Sequence, residues 1–149
     1  MLKFAGFLAA SAVAALLSAP AVAKADTLTD IMACSVNVEY SRNNSVRLTY
    51  VKDFQVSLNT PYSDDFSNTL RFRFFDANMT VEDGLPVVHI AFDADVDTFN
   101  AVAFGAELRV RDTSKGETTQ GNSGFFTSVP GAAGSHRTIY TLTCQKAQN

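Results

Sequence analysis

Tryptophan is absent from this chain, and cysteine and histidine occur only twice each. The missing indole removes the platform on which sugar rings most often stack, leaving Tyr40, Tyr50, Tyr62 and Tyr140 for any such role. The cysteines have neither a Cys-x-x-Cys spacing nor a third soft ligand, so they fit neither a redox pair nor a thiolate metal site. After residue 25 no apolar run is long enough to span a bilayer as a helix. Internal repeats, low-complexity tails and linkers are also lacking. An excess of basic charge is missing too: beyond residue 25 the chain carries 10 basic against 15 acidic residues. That balance argues against nucleic acid or an anionic membrane surface as the main partner.

What is present begins with a leader. Lys3 precedes an apolar run from Phe4 to Leu17, followed by the small-residue stretch Ser18 to Ala23. This is the pattern of a cleaved secretory signal peptide, with the Ala-rich core of the bacterial kind. About fourteen apolar residues rise only about 21 Å as a helix, short of the roughly 30 Å hydrocarbon core. Ala21-Val22-Ala23 and Ala23-Lys24-Ala25 both suit a signal peptidase, and we place the cut after Ala25. Residues 1–25 are then the leader and 26–149 a single domain, too short for two cores. Export leads to a secreted or periplasmic location. In an oxidising compartment Cys34 and Cys144 read as one disulfide tying the first strand to the last.

Between the cysteines the chain alternates with period two. Cys34, Val36, Val38 and Tyr40 face one way, and Arg42 to Ser45 is a turn. Val46, Leu48 and Tyr50 continue the pattern, with Phe54, Val56 and Leu58 in the same phase. Asn59 to Asp65 is dense in turn formers and is expected to leave the sheet. Leu70, Phe72 and Phe74 form an apolar face against Arg71 and Arg73, which exposes Phe75. Val88, Ile90, Phe92, Ala94 and Val96 oppose His89, Asp93, Asp95 and Asp97, and Ala106, Leu108 and Val110 oppose Glu107, Arg109 and Arg111. Lys115 to Gly124 reads as a polar loop, Phe125 to Val129 as a short strand, 130–134 as a loop, and Arg137 to Cys144 as the last strand. The only helix candidate is a turn over Thr27 to Met32. The expectation is an all-β fold of seven or eight antiparallel strands, a barrel or a sandwich.

The sharpest constellation is His89, Asp93, Asp95 and Asp97 on one strand face. Asp93-x-Asp95-x-Asp97 copies the opening of a calcium loop, but Thr98 stands where Gly is needed and Phe104 where a bidentate Glu is needed. No metal site or other cofactor is therefore expected. With Arg71, Arg73, Arg109 and Arg111 on flanking strands, the eight residues read as one charged sheet face suited to cross-strand pairing or to a protein partner. Gly121-Asn122-Ser123-Gly124 lacks the second Gly of a nucleophile elbow, since Phe125 occupies that position, and nothing brings His89 or His136 to Ser123. No catalytic residue is assigned. Asn43-Asn44-Ser45 and Asn78-Met79-Thr80 are glycosylation sequons only in a eukaryote.

Three functional readings follow. The first is an exported, non-enzymatic domain that binds another protein through its charged face or loops. The second is a carrier for a small apolar ligand in a barrel cavity, with segments 116–124 and 130–135 at its mouth. The third is a hydrolase of unspecified class.

Overall fold

The computed structural model describes residues 31–123, 126–127 and 134–148. The leader and most of the Thr27 to Met32 segment lie outside them. The described strands are β1 (Met32–Arg42), β2 (Ser45–Val56), β3 (Tyr62–Asp65), β4 (Arg73–Glu82), β5 (Leu85–Asp95), β6 (Asn100–Arg109), β7 (Glu117–Ser123), β8 (Phe126–Thr127) and β9 (His136–Lys146). Among the described residues no helix is long and apolar enough to cross a membrane.

These strands form two antiparallel sheets, one in the order β2-β1-β9-β7 and the other β3-β4-β5-β6-β8. The period-two sequence explains the layering, because each strand greases one face and only a second sheet can cover it. Met32, Cys34, Val36, Val38 and Tyr40 of β1 are buried, as are Phe75, Ala77 and Met79 of β4 and Val88, Ile90, Phe92 and Ala94 of β5. Aromatic rings bridge the layers: Tyr50 to Phe75 at 5.4 Å and to Phe92 at 5.5 Å, Phe54 to Phe75 at 5.2 Å, and Phe104 to Tyr140 at 4.9 Å. The architecture is a sandwich rather than a barrel, with these rings packed between its two sheets.

Cys34 pairs directly with Cys144 in the β1–β9 register, and the two form a disulfide with 4.1 Å between their Cα atoms. The bridge lies on the core face, where both residues are buried. A disulfide between the first and last strands fits an oxidising compartment.

Several phases differ from the sequence expectation. Val46 is 52% exposed because a bulge opposite Tyr40 and Ser41 inserts Arg47 and reverses the side-chain parity of β2 beyond it. Leu58 ends up in the tight turn Ser57–Thr60 rather than on a strand. Tyr62–Asp65 does leave the first sheet, but it joins the second as edge strand β3. Its entry is secured from β2: the Tyr50 hydroxyl donates to Asp64 Oδ2 at 2.8 Å, and Lys52 Nζ approaches the same oxygen at 3.1 Å.

Around β4 the phase is opposite to that expected. Phe75 is fully buried, Phe72 is 57% and Leu70 81% exposed, and Phe74 points outward half-buried. Glu117–Ser123 is a strand and not a loop, and it completes the first sheet beside β9. It has no large apolar side chain; instead the ring of Tyr140 lies over Gly121, where an added Cβ would come within 2.6 Å of it.

Candidate functional site

Half of the proposed charged face is assembled. On the outer parity of the β4–β5–β6 ladder stand His89, Asp93, Asp95 and Arg109, with Phe74 opposite Asp93 and Glu107 opposite His89. The other four residues go elsewhere. Arg71 sits in the turn closed by the Asn68–Arg71 bridge, and Asp97 lies beyond the end of β5. Arg73 falls on the core-facing parity of β4, half-buried, with its Nε donating to the Asp95 carbonyl at 2.9 Å. Arg111 lies past the end of β6 and is exposed. The expected meeting of acidic and basic rows reduces to Arg109, whose guanidinium reaches Glu82 at 3.0 Å and Asp83 at 3.1 Å. Those hydrogen bonds, Asp83 first, raise its pKa.

His89 brings three polar side chains together on this face. Its Nε2 lies 2.9 Å from Thr80 Oγ1 and 3.7 Å from Glu82, and its Nδ1 lies 3.9 Å from Glu107. The order hydroxyl, imidazole, carboxylate is that of a nucleophilic triad. The Glu107 contact is too long to orient the ring, and Thr80 and Glu107 are both exposed on an open strand surface. Tyr40 and His136 form a second pair, Oη to Nδ1 at 2.7 Å, in which burial raises the Tyr40 pKa. Ser123 lies in β7, one strand of the sheet to which His136 belongs, at Thr138 in the β7–β9 register.

The three acidic residues of the calcium-like run perform separate tasks. Asp93 is exposed on the outer face, while Asp95 Oδ2 accepts the Phe72 amide at 2.8 Å. Asp97 Oδ1 accepts the amides of Phe99 and Asn100 at 2.9 and 3.0 Å, and its carboxylate also accepts the Asn100 side-chain amide. Among the described residues no group of three or more potential ligands converges as a metal site would require.

Burial works against the Asp97 charge, yet the hydrogen bonds from Phe99 and Asn100 prevail and hold its carboxyl below the usual range. A depressed folded-state pKa stabilises the fold above the unfolded pKa, and that stabilisation is lost as pH falls through the folded value. Thermal melts from pH 6 downward are therefore expected to show a falling Tm, with a shallower decline in Asp97→Asn. At neutral pH this variant should cost about 1 kcal/mol, the difference between a charged and a neutral acceptor. Asp65 and Asp112, also lowered by hydrogen bonds from Ser67 and Ser114, keep part of the slope in the variant.

One end of the sandwich carries a surface that sequence reasoning did not assemble. The β1–β2 hairpin, segment 66–72 and the β5–β6 turn 96–99 meet there, because each connects strands at that end. Leu70 (81% exposed), Phe72 and Phe99 (57% each) are the most exposed large apolar residues on these loops. Asp95 ties segment 66–72 to the end of β5 through the Phe72 amide, and Asp97 closes its own turn through the Phe99 amide. Leu70 and Arg71 share a shallow depression of about 260 Å³ with Asp95, Asp97 and Thr98. In the sequence Leu70 and Phe72 read as part of a strand face. No spacing links residues contributed by separate loops.

No protein-family model matches the chain, and no curated protein or solved structure shows significant similarity to it.

Proposed function

We propose that this chain is an exported, non-enzymatic domain that binds another protein, and that the loop end around Leu70, Phe72 and Phe99 makes the contact. The observation behind this reading is the exposure of three large apolar side chains on adjoining loops, each loop fixed by an aspartate cap. Solvated apolar groups rimmed by polar ones are unfavourable until covered, and aromatic and arginine residues are enriched where proteins meet. Arg71 supplies the rim. The aromatic interior supports a role exercised at the surface, and the disulfide suits export.

The test is cross-linking in the native compartment, comparing wild type with Phe72→Ser/Phe99→Ser. Both sites are exposed, so the variant should stay within about 0.5 kcal/mol of wild-type stability. Loss of one specific cross-linked protein, with the melt unchanged, is the expected result. Capture that survives this variant but fails on reversing Arg109 to Glu would move the contact to the charged face of β4–β5–β6. Capture that survives both would sink the proposal.

A further inference from the structure

Among the described residues each sheet ends in strands with an unpaired outer edge, and these edges differ in length. β2 runs for 12 residues, whereas β7, β3 and β8 run for 7, 4 and 2. Which backbone groups β2 turns to solvent follows from the pairing of β1. In an antiparallel strand each residue directs both its N–H and its C=O to one side, and successive residues alternate sides. On the β9 side of β1 the Ala147 amide donates to the Ile31 carbonyl at 2.8 Å, one step beyond the Met32–Lys146 pair, so the odd-numbered residues of β1 bond to β9. The 4.1 Å between the Cα atoms of Cys34 and Cys144 agrees, being the close approach of a pair that exchanges no backbone hydrogen bonds. Cys34, Val36 and Val38 therefore bond to Phe54, Lys52 and Tyr50 of β2. Thr49, Val51, Asp53 and Gln55 are left with their amides and carbonyls directed away from the sheet, and among the described residues nothing pairs with them there.

The side chains of the same four residues lie on the outer face of the sheet, all exposed, with Val51 at 64%. From the inner face Tyr50 and Lys52 tie β2 to Asp64 of the other sheet, so the strand is held in place before anything docks. Toward the hairpin the bulge at Arg47 ends the regular edge. An unpaired edge of this kind is a template for another strand, and natural sheets often blunt it with charge. Here Asp53 is the one charged side chain among the four residues, and it selects how a second copy can pair. Docking parallel and in register sets Asp53 beside Asp53. Antiparallel docking about Asp53 does the same, and docking about Lys52 opposes two lysines. An axis at Tyr50 brings Asp53 to the irregular backbone at Arg47. A two-fold axis at Val51 avoids all of these: it pairs Val51 with its own counterpart and each Asp53 with the hydroxyl of Thr49, and it keeps the pairing within the regular run Thr49–Asp53. Cross-strand contacts of this sort stabilise a sheet, whereas like charges directly opposite destabilise it.

We propose that two copies of this chain associate through β2, antiparallel about Val51, and so join their four-stranded sheets into one continuous sheet. The contact is the same patch on both copies, so it closes on its two-fold axis and growth stops at the dimer. The inference does not depend on the Leu70–Phe72–Phe99 surface. Sedimentation of the disulfide-bonded exported protein from about 1 to 500 µM, with amide exchange at both ends of that range, tests it. The expected result is a reversible dimer in which the Val51 and Asp53 amides exchange at least about tenfold more slowly than in the monomer. The Lys52 and Phe54 amides, already bonded to β1, should change little. Val51→Lys and Val51→Glu, at an exposed position, should each melt close to wild type and dimerise at least about tenfold more weakly, since each sets like charges across the axis. Mixing the two variants should restore dimers, because lysine then faces glutamate. Phe72→Ser/Phe99→Ser should dimerise as wild type. A monomer up to about 500 µM overturns the proposal and leaves the edge to a strand of another protein. So does a dimer that Val51→Lys leaves intact, one that mixing the variants fails to restore, one whose Val51 amide exchanges as in the monomer, or one that Phe72→Ser/Phe99→Ser abolishes.

Discussion

Replacing both cysteines with alanine is expected to lower the melting temperature by about 12–30 °C. The bridge closes a loop of 110 residues, and constraining so long a loop in the unfolded chain is worth about 4–5 kcal/mol in the entropic treatment. For a domain of this size each kcal/mol moves Tm by roughly 3–6 °C. Alanine is the informative replacement, since serine would add buried hydroxyls at two core positions. Wild-type protein melted in reductant should coincide with the double variant, because both lack the same constraint. A loss under about 3 °C would instead mean that the unfolded chain already keeps β1 near β9, so that the bridge removes little freedom. The register gives that alternative substance. Val36–Leu142 and Val38–Tyr140 continue the apolar pairing next to the disulfide along the same two strands.

The strands that could be read from sequence are those in which packing and periodicity coincide. β1 from Cys34 and β5 from Val88 largely alternate apolar and polar side chains, and the structure buries the predicted faces of Cys34–Tyr40 and Val88–Ala94. The disulfide followed from cysteine number and compartment alone. What could not be read was fixed by a neighbouring chain segment. β3 consists of Tyr-Ser-Asp-Asp, whose residues favour turns; it becomes a strand because Tyr50 and Lys52 hold Asp64 from the other sheet. β7 consists of Glu, Thr, Gln, Gly, Asn and Ser, with Tyr140 of its partner strand filling the space over Gly121. The bulge at Arg47 shifts a phase that local sequence would continue unbroken. The candidate sites were illegible for the same reason. Leu70 and Arg71 come to share a depression with Asp97 and Thr98 only after segment 66–72 and the β5–β6 turn are set side by side at one end of the sandwich.

The phase of β4 leads to the second large effect: Phe75→Ala is expected to cost about 3–5 kcal/mol, whereas Phe74→Ala should cost no more than about 1 kcal/mol. Sequence alone favours the opposite ranking, because Leu70, Phe72 and Phe74 alternate with two arginines. The alternation misleads because Leu70 belongs to a turn and β4 begins only at Arg73. From there the buried series is Phe75, Ala77 and Met79, and Phe75 sits where both sheets converge, its ring 5.2 Å from Phe54, 5.4 Å from Tyr50 and 6.2 Å from Tyr62. Truncation there loses the transfer energy of a phenyl ring and leaves a cavity that the surrounding aromatic rings are too rigid to refill. Phe74 packs against Phe72 at 4.3 Å on the outer side, where water replaces what is removed. Urea unfolding of both variants, with the disulfide intact, measures the difference. Keeping the bridge matters, because losing it together with Phe75 would consume most of the 5–15 kcal/mol that holds a domain folded. A greater loss from Phe74→Ala than from Phe75→Ala would mean that β4 pairs one residue out of register, a slip that carries every side chain of the strand to the opposite face. Arg73 would then turn outward and Phe72 inward, and the exposed apolar surface at the loop end would lose one of its three members.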